Sequence, residues 1–347
     1  MKNIFNVTNV DKHYYQNVLK EFLPEQIIDV HTHVFLKEHH WDENSNDSRL
    51  ARWPERVAQD NPYVDHQETY NLIFPGKKVM SVIFANPMNL KNIDDANKYI
   101  ENCCESNSDC FGLLLTKPEW SESFVEEKLV KGKFKGIKVY LNFAPSFIAK
   151  NDICIFDFLP HHQLEVLNKY GLIVMLHIPR DNRLKDPVNL AQIIEIEKNY
   201  PDIKLIIAHV GRAYCKEDVG NAFEVLKKTK NVLFDFSANT NEYVFEQLIK
   251  AIGPERILFG SDMPITRMRM KRVCENGNYI NIIPKGLYGD ISDDSHMREV
   301  EGGESEQLTL FIYEEIMAFQ KAAKSTHLTN EDIEDVFFNN ARRILNF

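Results

Sequence analysis

The stretch Ile27-Ile28-Asp29-Val30-His31-Thr32-His33 decides how this chain is read. An apolar run with β-branched residues reads as a buried strand. It ends in two histidines two positions apart, and side chains at i and i+2 of a strand point the same way. His31 and His33 are therefore expected to project together. Two neutral imidazoles converging at a strand end make half of a transition-metal site. A lone His-x-His pair is more often a surface accident, so the remaining ligands have to come from elsewhere in the chain.

Working outward, a helical pattern precedes the strand and is stopped by Pro24. Downstream, apolar runs recur at 79–84, 111–115, 136–141, 172–177, 204–209, 231–236 and 256–262. Segments of helical period lie between most of them, most clearly at 94–106, 162–170, 189–200, 219–228 and 242–252. Eight strands alternating with helices, each strand buried on both faces, predict an α/β fold, a (β/α)8 TIM barrel. A doubly wound sheet would want a glycine-rich turn after an early strand, and none follows the first. Residues 1–347 are read as one barrel with two long polar insertions at its C-terminal face, about 36–76 and 267–306. Both are expected to cap the strand ends, the second as a lid or a partly disordered loop.

The 347 residues are 44% hydrophobic and 27% charged, an ordinary globular composition. A net charge of −10, from 41 basic and 51 acidic residues, argues against nucleic acid or an anionic membrane as partner. No signal peptide and no membrane-length apolar run is read, so a cytoplasmic location is expected. Cys103, Cys104, Cys110, Cys154, Cys215 and Cys274 form no C-x-x-C pair and are expected to be free thiols.

Three more ligand-type residues close predicted strands: His177 the fifth, His209 the sixth and Asp262 the eighth. Each alone reads as a core residue bonded to backbone. Together with His31 and His33 they fall on the barrel face where such folds carry their chemistry, and the set reads as a metal site.

Several motifs also carry a family resemblance. They are Asp29-Val30-His31-Thr32-His33, Gly136-Ile137-Lys138, Leu176-His177, Ala208-His209-Val210-Gly211, Leu258-Phe259-Gly260-Ser261-Asp262-Met263-Pro264 and Asn339-Asn340-Ala341-Arg342-Arg343-Ile344-Leu345. In this order the chain resembles the amidohydrolase superfamily, in the amidohydrolase-related, aminocarboxymuconate-semialdehyde decarboxylase-like branch of metal-dependent hydrolases and decarboxylases. The resemblance implies that His31, His33, His177 and Asp262 bind a divalent metal. Asp262 would also take a proton from water, and His209 would stand beside the water or the substrate oxygen, or bind a second metal. Such a donor set leaves a position for water, and a carboxylate beside it suits general-base work. Zinc is the first expectation, with manganese, iron or cobalt as alternatives. Some relatives carry a carboxylated lysine on the fourth strand; Lys138 is expected to be unmodified and to face the substrate.

Arg180 and Arg212 follow the fifth and sixth strands and are candidate forks for an anionic substrate, against the simpler reading of surface ion pairs. The run Arg267, Arg269, Lys271 and Arg272 is expected to be a solvated charged face. His39-His40 and His161-His162 are read as exposed or helix-start residues, and Trp41 and Trp53 as a pocket roof or cap core. The expected activity is hydrolysis of a small-molecule amide, ester or lactone. Its alternatives are non-oxidative decarboxylation on the same metal site and a catalytically inactive metal-binding barrel. The reading leaves room for a homo-oligomer.

Overall fold

The computed structural model describes residues 4–41, 49 and 53–347. The strands are β1 (Gln26–His33), β2 (Lys78–Phe84), β3 in two pieces (Cys110–Gly112 and Leu114–Leu115), β4 (Gly136–Val139), β5 (Ile173–Leu176), β6 (Lys204–Ile207), β7 (Leu233–Asp235) and β8 (Ile257–Leu258). Every neighbouring pair in this series is parallel. The ladder crosses the kink in β3 through Leu113 N–H donating to Ile83 O at 3.0 Å. It returns to its start through Val30 N–H to Phe259 O (3.0 Å), Asp262 N–H to His31 O (2.7 Å) and His33 N–H to Met263 O (2.7 Å). The chain is a (β/α)8 barrel.

Strand alternation sorts the side chains. Ile28, Val30, Met80, Val82, Leu113, Met175, Ile206 and Leu258 form one buried cluster that also takes in Ile344 and Leu345 of the C-terminal helix. Ile27, Ile137, Val139, Leu205, Ile207, Ile257 and Phe259 belong to a larger cluster with the surrounding helices. In it Phe236 and Phe319 stack with ring centres 4.4 Å apart. Each such fully buried apolar side chain stabilises the fold by roughly 1.5–3 kcal/mol. The helices start where their capping residues allow: Asn92 accepts from Asp94 N–H, and Asp186 caps Pro187–Asn199, which carries proline in its first turn.

The first insertion contains the helix Tyr63–Ile73. Trp53 is buried, while Trp41 is 62% exposed. His39 and His40 are half-buried, and His161 opens the helix His161–Tyr170.

The second insertion corrects the expectation of a loose loop. β9 (Lys271–Glu275) and β10 (Asn278–Pro284) form an antiparallel hairpin, and β11 (Met297–Val300) adds in parallel to β10. The hairpin turns on Asn276 and Gly277, both at positive φ, the pair that suits a tight hairpin. The basic run is likewise not a solvated face. Alternation exposes Lys271 and turns Arg272 inward; Arg267 is buried too, and Arg269 pairs with the buried Asp11 at 2.6 Å. A further correction concerns the thiols: Cys215 and Cys274 form a disulfide between the segment after β6 and the hairpin, while Cys103, Cys104, Cys110 and Cys154 are free. Residues 59 positions apart give no spacing signal that sequence could register. Among the described residues no helix is long and apolar enough to cross a membrane.

Candidate metal centre

Simple alternation turns four residues toward the barrel interior, of which His177 and Asp262 line the cavity while Lys138 and Asp235 are fully buried. Lys138, His177, Asp235 and Asp262 share the parity of interior residues on their own strands. The histidines of β1 do not. Ile28 and Val30 face the interior, and Asp29 faces outward, where its Oδ2 accepts from Tyr70 Oη at 2.7 Å. By parity His31 would follow Asp29. The pairing with β2 slips between Asp29 and Thr32, and this bulge turns both histidines inward.

His209 reaches the site by a different route. His209, Val210, Gly211 and Arg212 all have positive φ (56°, 48°, 60° and 59°), a left-handed turn at the end of β6. Non-glycine residues in this conformation cost roughly 1–2 kcal/mol each. The turn is held by His209 N–H donating to Asp235 Oδ1 at 2.9 Å and by Arg212 Nη1 donating to Pro179 O at 3.0 Å. Asp262 also sits at φ 60°.

The hydrogen bonds assign the ring tautomers. Asp235 Oδ2 lies 3.0 Å from His31 Nδ1, and an ionised carboxylate only accepts, so Nδ1 carries the proton. His31 Nε2 is then a bare lone pair. It faces Asp262 Oδ1 at 3.5 Å, with Lys138 Nζ 3.4 Å away. His33 Nε2 lies 3.1 Å from the same oxygen. His209 Nδ1 donates toward Ser237 O at 3.0 Å, which leaves its Nε2 as the available atom. Ser237 Oγ in turn donates to Asp235 Oδ1 at 2.5 Å.

The electrostatics agree with these assignments. Burial, reinforced by the Lys138 charge and opposed by Asp235, pushes His31 down to about 3, so it is neutral. Burial also lowers His209 and takes His177 well below the usual imidazole range. Burial works against the charge on Asp262, yet the hydrogen bond with His33, first among its imidazole contacts, outweighs it and holds the carboxyl at about 2. Asp235 is likewise held below the carboxylate range, with burial overcome by His31. Lys138 is fully buried, which brings it down to about 8 against the pull of Asp235 and Asp262.

A lone pair facing an ionised carboxylate across 3.5 Å is a contact that a cation between them would relieve. Metal–ligand bonds of roughly 2.0–2.2 Å suit donors spaced this way. Among the described residues two groups are close enough to hold an ion: His31–His33–Asp262 and His31–His209–Asp235. His177 is in neither. Its ring centre lies 5.4 Å from that of His209, and its Nδ1 is buried without a partner. His31, His33, His177, His209 and Asp262 all line one cavity of about 580 Å³.

The two candidate arginines separate. Arg212 lines the cavity, whereas Arg180 does not and instead pairs with the capping Asp186 at 3.1 Å. Sequence reading missed Asp235 and Ser237, although Asp235 closes the seventh apolar run as His177 and Asp262 close theirs. It also missed Tyr140, Arg183 and Arg272, which line the same cavity.

Known proteins bear on this geometry. No curated protein matches the chain. Solved structures match over almost its full length. One is a probable 2-pyrone-4,6-dicarboxylic acid hydrolase from Acinetobacter baumannii with citric acid bound, at TM-score 0.54 and 16% identity, covering 92% of this chain and 99% of that one. Another is 4-oxalomesaconate hydratase from Rhodopseudomonas palustris, at 0.55 and 16%, covering 92% and 95%. A third is 5-carboxyvanillate decarboxylase from Novosphingobium aromaticivorans, complexed with manganese and 4-hydroxy-3-methoxy-5-nitrobenzoic acid, at 0.54 and 12%, covering 93% and 96%. At these identities the likeness is one of fold. The family described as Amidohydrolase matches residues 28–274, from β1 through the hairpin strand β9, and the chain belongs to that amidohydrolase family.

Proposed function

We propose that this chain hydrolyses an amide, ester or lactone bond in a small carboxylated molecule, using a divalent metal. The observation that carries the reading is the bare His31 Nε2 set against the ionised Asp262 Oδ1, with His33 Nε2 on the same oxygen. His31, His33 and Asp262 would hold the ion, with His177 as a fourth donor. A metal in such a set acidifies water and polarises an oxygen that gains charge. Asp262, ionised and adjacent, accepts the proton of the attacking water. His209, its Nδ1 tied to Ser237, offers Nε2 to the substrate oxygen. Lys138, unmodified in this reading, contributes a buried positive charge beside His31. Zinc suits the imidazole-rich donors, and manganese, present in the 5-carboxyvanillate decarboxylase structure, is the alternative.

The decarboxylase reading has its own support. Trp53, Tyr140, Tyr214 and Tyr279 line the cavity, walls suited to a flat conjugated acid. Product analysis in ¹⁸O-water separates the two. Hydrolysis places one labelled oxygen in the product and releases no CO2, whereas decarboxylation releases CO2. A panel of carboxylated lactones, esters and aromatic acids would decide it. CO2 from any of them would replace the hydrolase reading.

A further inference from the structure

We propose that Arg272, supplied by the hairpin of the second insertion, anchors a carboxylate of the substrate at a second point of the cavity. The proposal rests on the reading of this cavity as a substrate site.

Arg272 is only 8% exposed, yet it lines the cavity that holds His31, His33 and Asp262. Its Nε donates to Asn281 Oδ1 at 2.9 Å and its Nη1 to Ala238 O at 2.6 Å. Ala238 follows Ser237, whose hydroxyl contacts His31 and His209, so the arginine is tied directly to the wall of the metal centre. Nη2 has no hydrogen-bond partner among the described residues. It is the one edge of the guanidinium left to the cavity.

The charge is also unbalanced. Among the described residues no carboxylate pairs with Arg272. Aromatic rings surround it: Tyr279 and Phe311 at 4.5 Å, Tyr214 at 4.9 Å and Trp53 at 6.0 Å. Ring faces attract a guanidinium but do not neutralise it. Arg183 shares the rings of Tyr214 and Tyr279, and its charge is already matched by Asp218 at 2.7 Å. Glu315, bonded to Ala238 N–H, is no counter-ion, because burial pushes its carboxyl well up. Two arginines thus face these rings, and of the two only Arg183 has a carboxylate paired with it. A buried cation without its ion pair is costly, and an incoming carboxylate removes that cost while gaining a charge-assisted hydrogen bond.

The opposing explanation is that Arg272 only rivets the hairpin to Ala238. The test uses the metal-loaded protein and 5-bromoisophthalate, a rigid dicarboxylate with an anomalous scatterer. Titration calorimetry is run on wild type, Arg272→Met, Arg272→Lys and His33→Ala. Loss of at least tenfold in affinity for both Arg272 variants, with melting temperature held, is the expected result. His33→Ala keeps an Arg272-dependent component, so failure of the metal reading would show in elemental analysis and leave this binding intact. Equal affinity of wild type and Arg272→Met overturns the proposal. If Arg272→Met does not fold, a soaked wild-type crystal decides. A carboxylate placed against Nη2 supports the anchor, and density elsewhere, or none, overturns it.

Discussion

Asp235 stands behind His31, its Oδ2 3.0 Å from Nδ1, across 204 positions of sequence. Its other oxygen accepts from His209 N–H and Ser237 N–H. One carboxylate therefore fixes the tautomer of a proposed metal ligand and the backbone of the left-handed turn. Asp235→Asn keeps the shape and loses the charge. Such outer partners are worth about 10–100-fold in metal affinity. We expect a loss in that range by chelator competition, with folding retained. Wild-type affinity would show that His31 is oriented by packing alone.

Asp262 and His209 are separated by their variants. Protein purified without added metal should carry about one divalent ion per chain, as a single catalytic set would. Asp262→Asn should keep part of the metal and lose about 10²–10⁴-fold in turnover, the usual worth of a general base. His209→Ala should keep the metal while turnover falls. A metal-free His209→Ala protein would promote His209 to a primary ligand. Electron density for a carboxyl group on Lys138 bridging two ions would replace the one-metal reading.

Gly260 follows β8 by two residues and packs against the site. A Cβ there would lie 2.8 Å from His31 Cβ, 3.3 Å from Ser237 Cβ and 3.4 Å from Asp235 Cβ. Gly260→Ala must therefore push on the His31–Asp235 pair. Overpacking of this kind costs about 1–3 kcal/mol. We expect lower thermal stability together with reduced metal content. Unchanged metal content would mean that the strand, rather than His31, gives way.

Sequence pattern made most of the barrel legible because buried strands announce themselves as apolar runs. Regular alternation turns Lys138, His177 and Asp262 toward the barrel interior, which places His177 and Asp262 on the cavity wall and leaves Lys138 buried outside its lining. The inward turn of His31 and His33 depends on a bulge between Asp29 and Thr32 that no residue type advertises. His209 depends on a left-handed turn whose stability comes from Asp235 and from Pro179, both distant in sequence. Asp235 closes its apolar run as His177 and Asp262 close theirs, so the same signal marks it. Composition leaves the second insertion as a lid or a loose loop, and only the Asn276-Gly277 pair in it signals the hairpin that excludes the loose loop. Arg272 was lost in a run of basic residues whose two faces only the strand period could separate.

Asp11 and Arg269 provide a test away from the centre. Asp11 is fully buried, and Arg269 grips it with Nη1 to Oδ1 at 2.9 Å and Nη2 to Oδ2 at 2.6 Å, joining the N-terminal helix to the second insertion. Thr8 N–H and Thr309 Oγ1 also donate to it. Burial opposes the charge most strongly, but Arg269 and these donors outweigh it, and the carboxyl is lowered from its ordinary value. A carboxyl lowered in the folded state adds stability that is complete above its unfolded pKa of roughly 3.9. That stability is lost as pH falls through the folded value. Asp11→Asn takes the carboxylate from the half-buried Arg269, which keeps only Leu308 O and Asn6 O, at a cost of about 1–3 kcal/mol near neutral pH. Denaturation of both proteins should show a wide gap at pH 7 that narrows below about pH 4. A gap that stayed constant down to pH 3 would mean that Asp11 acts through packing and not through its charge.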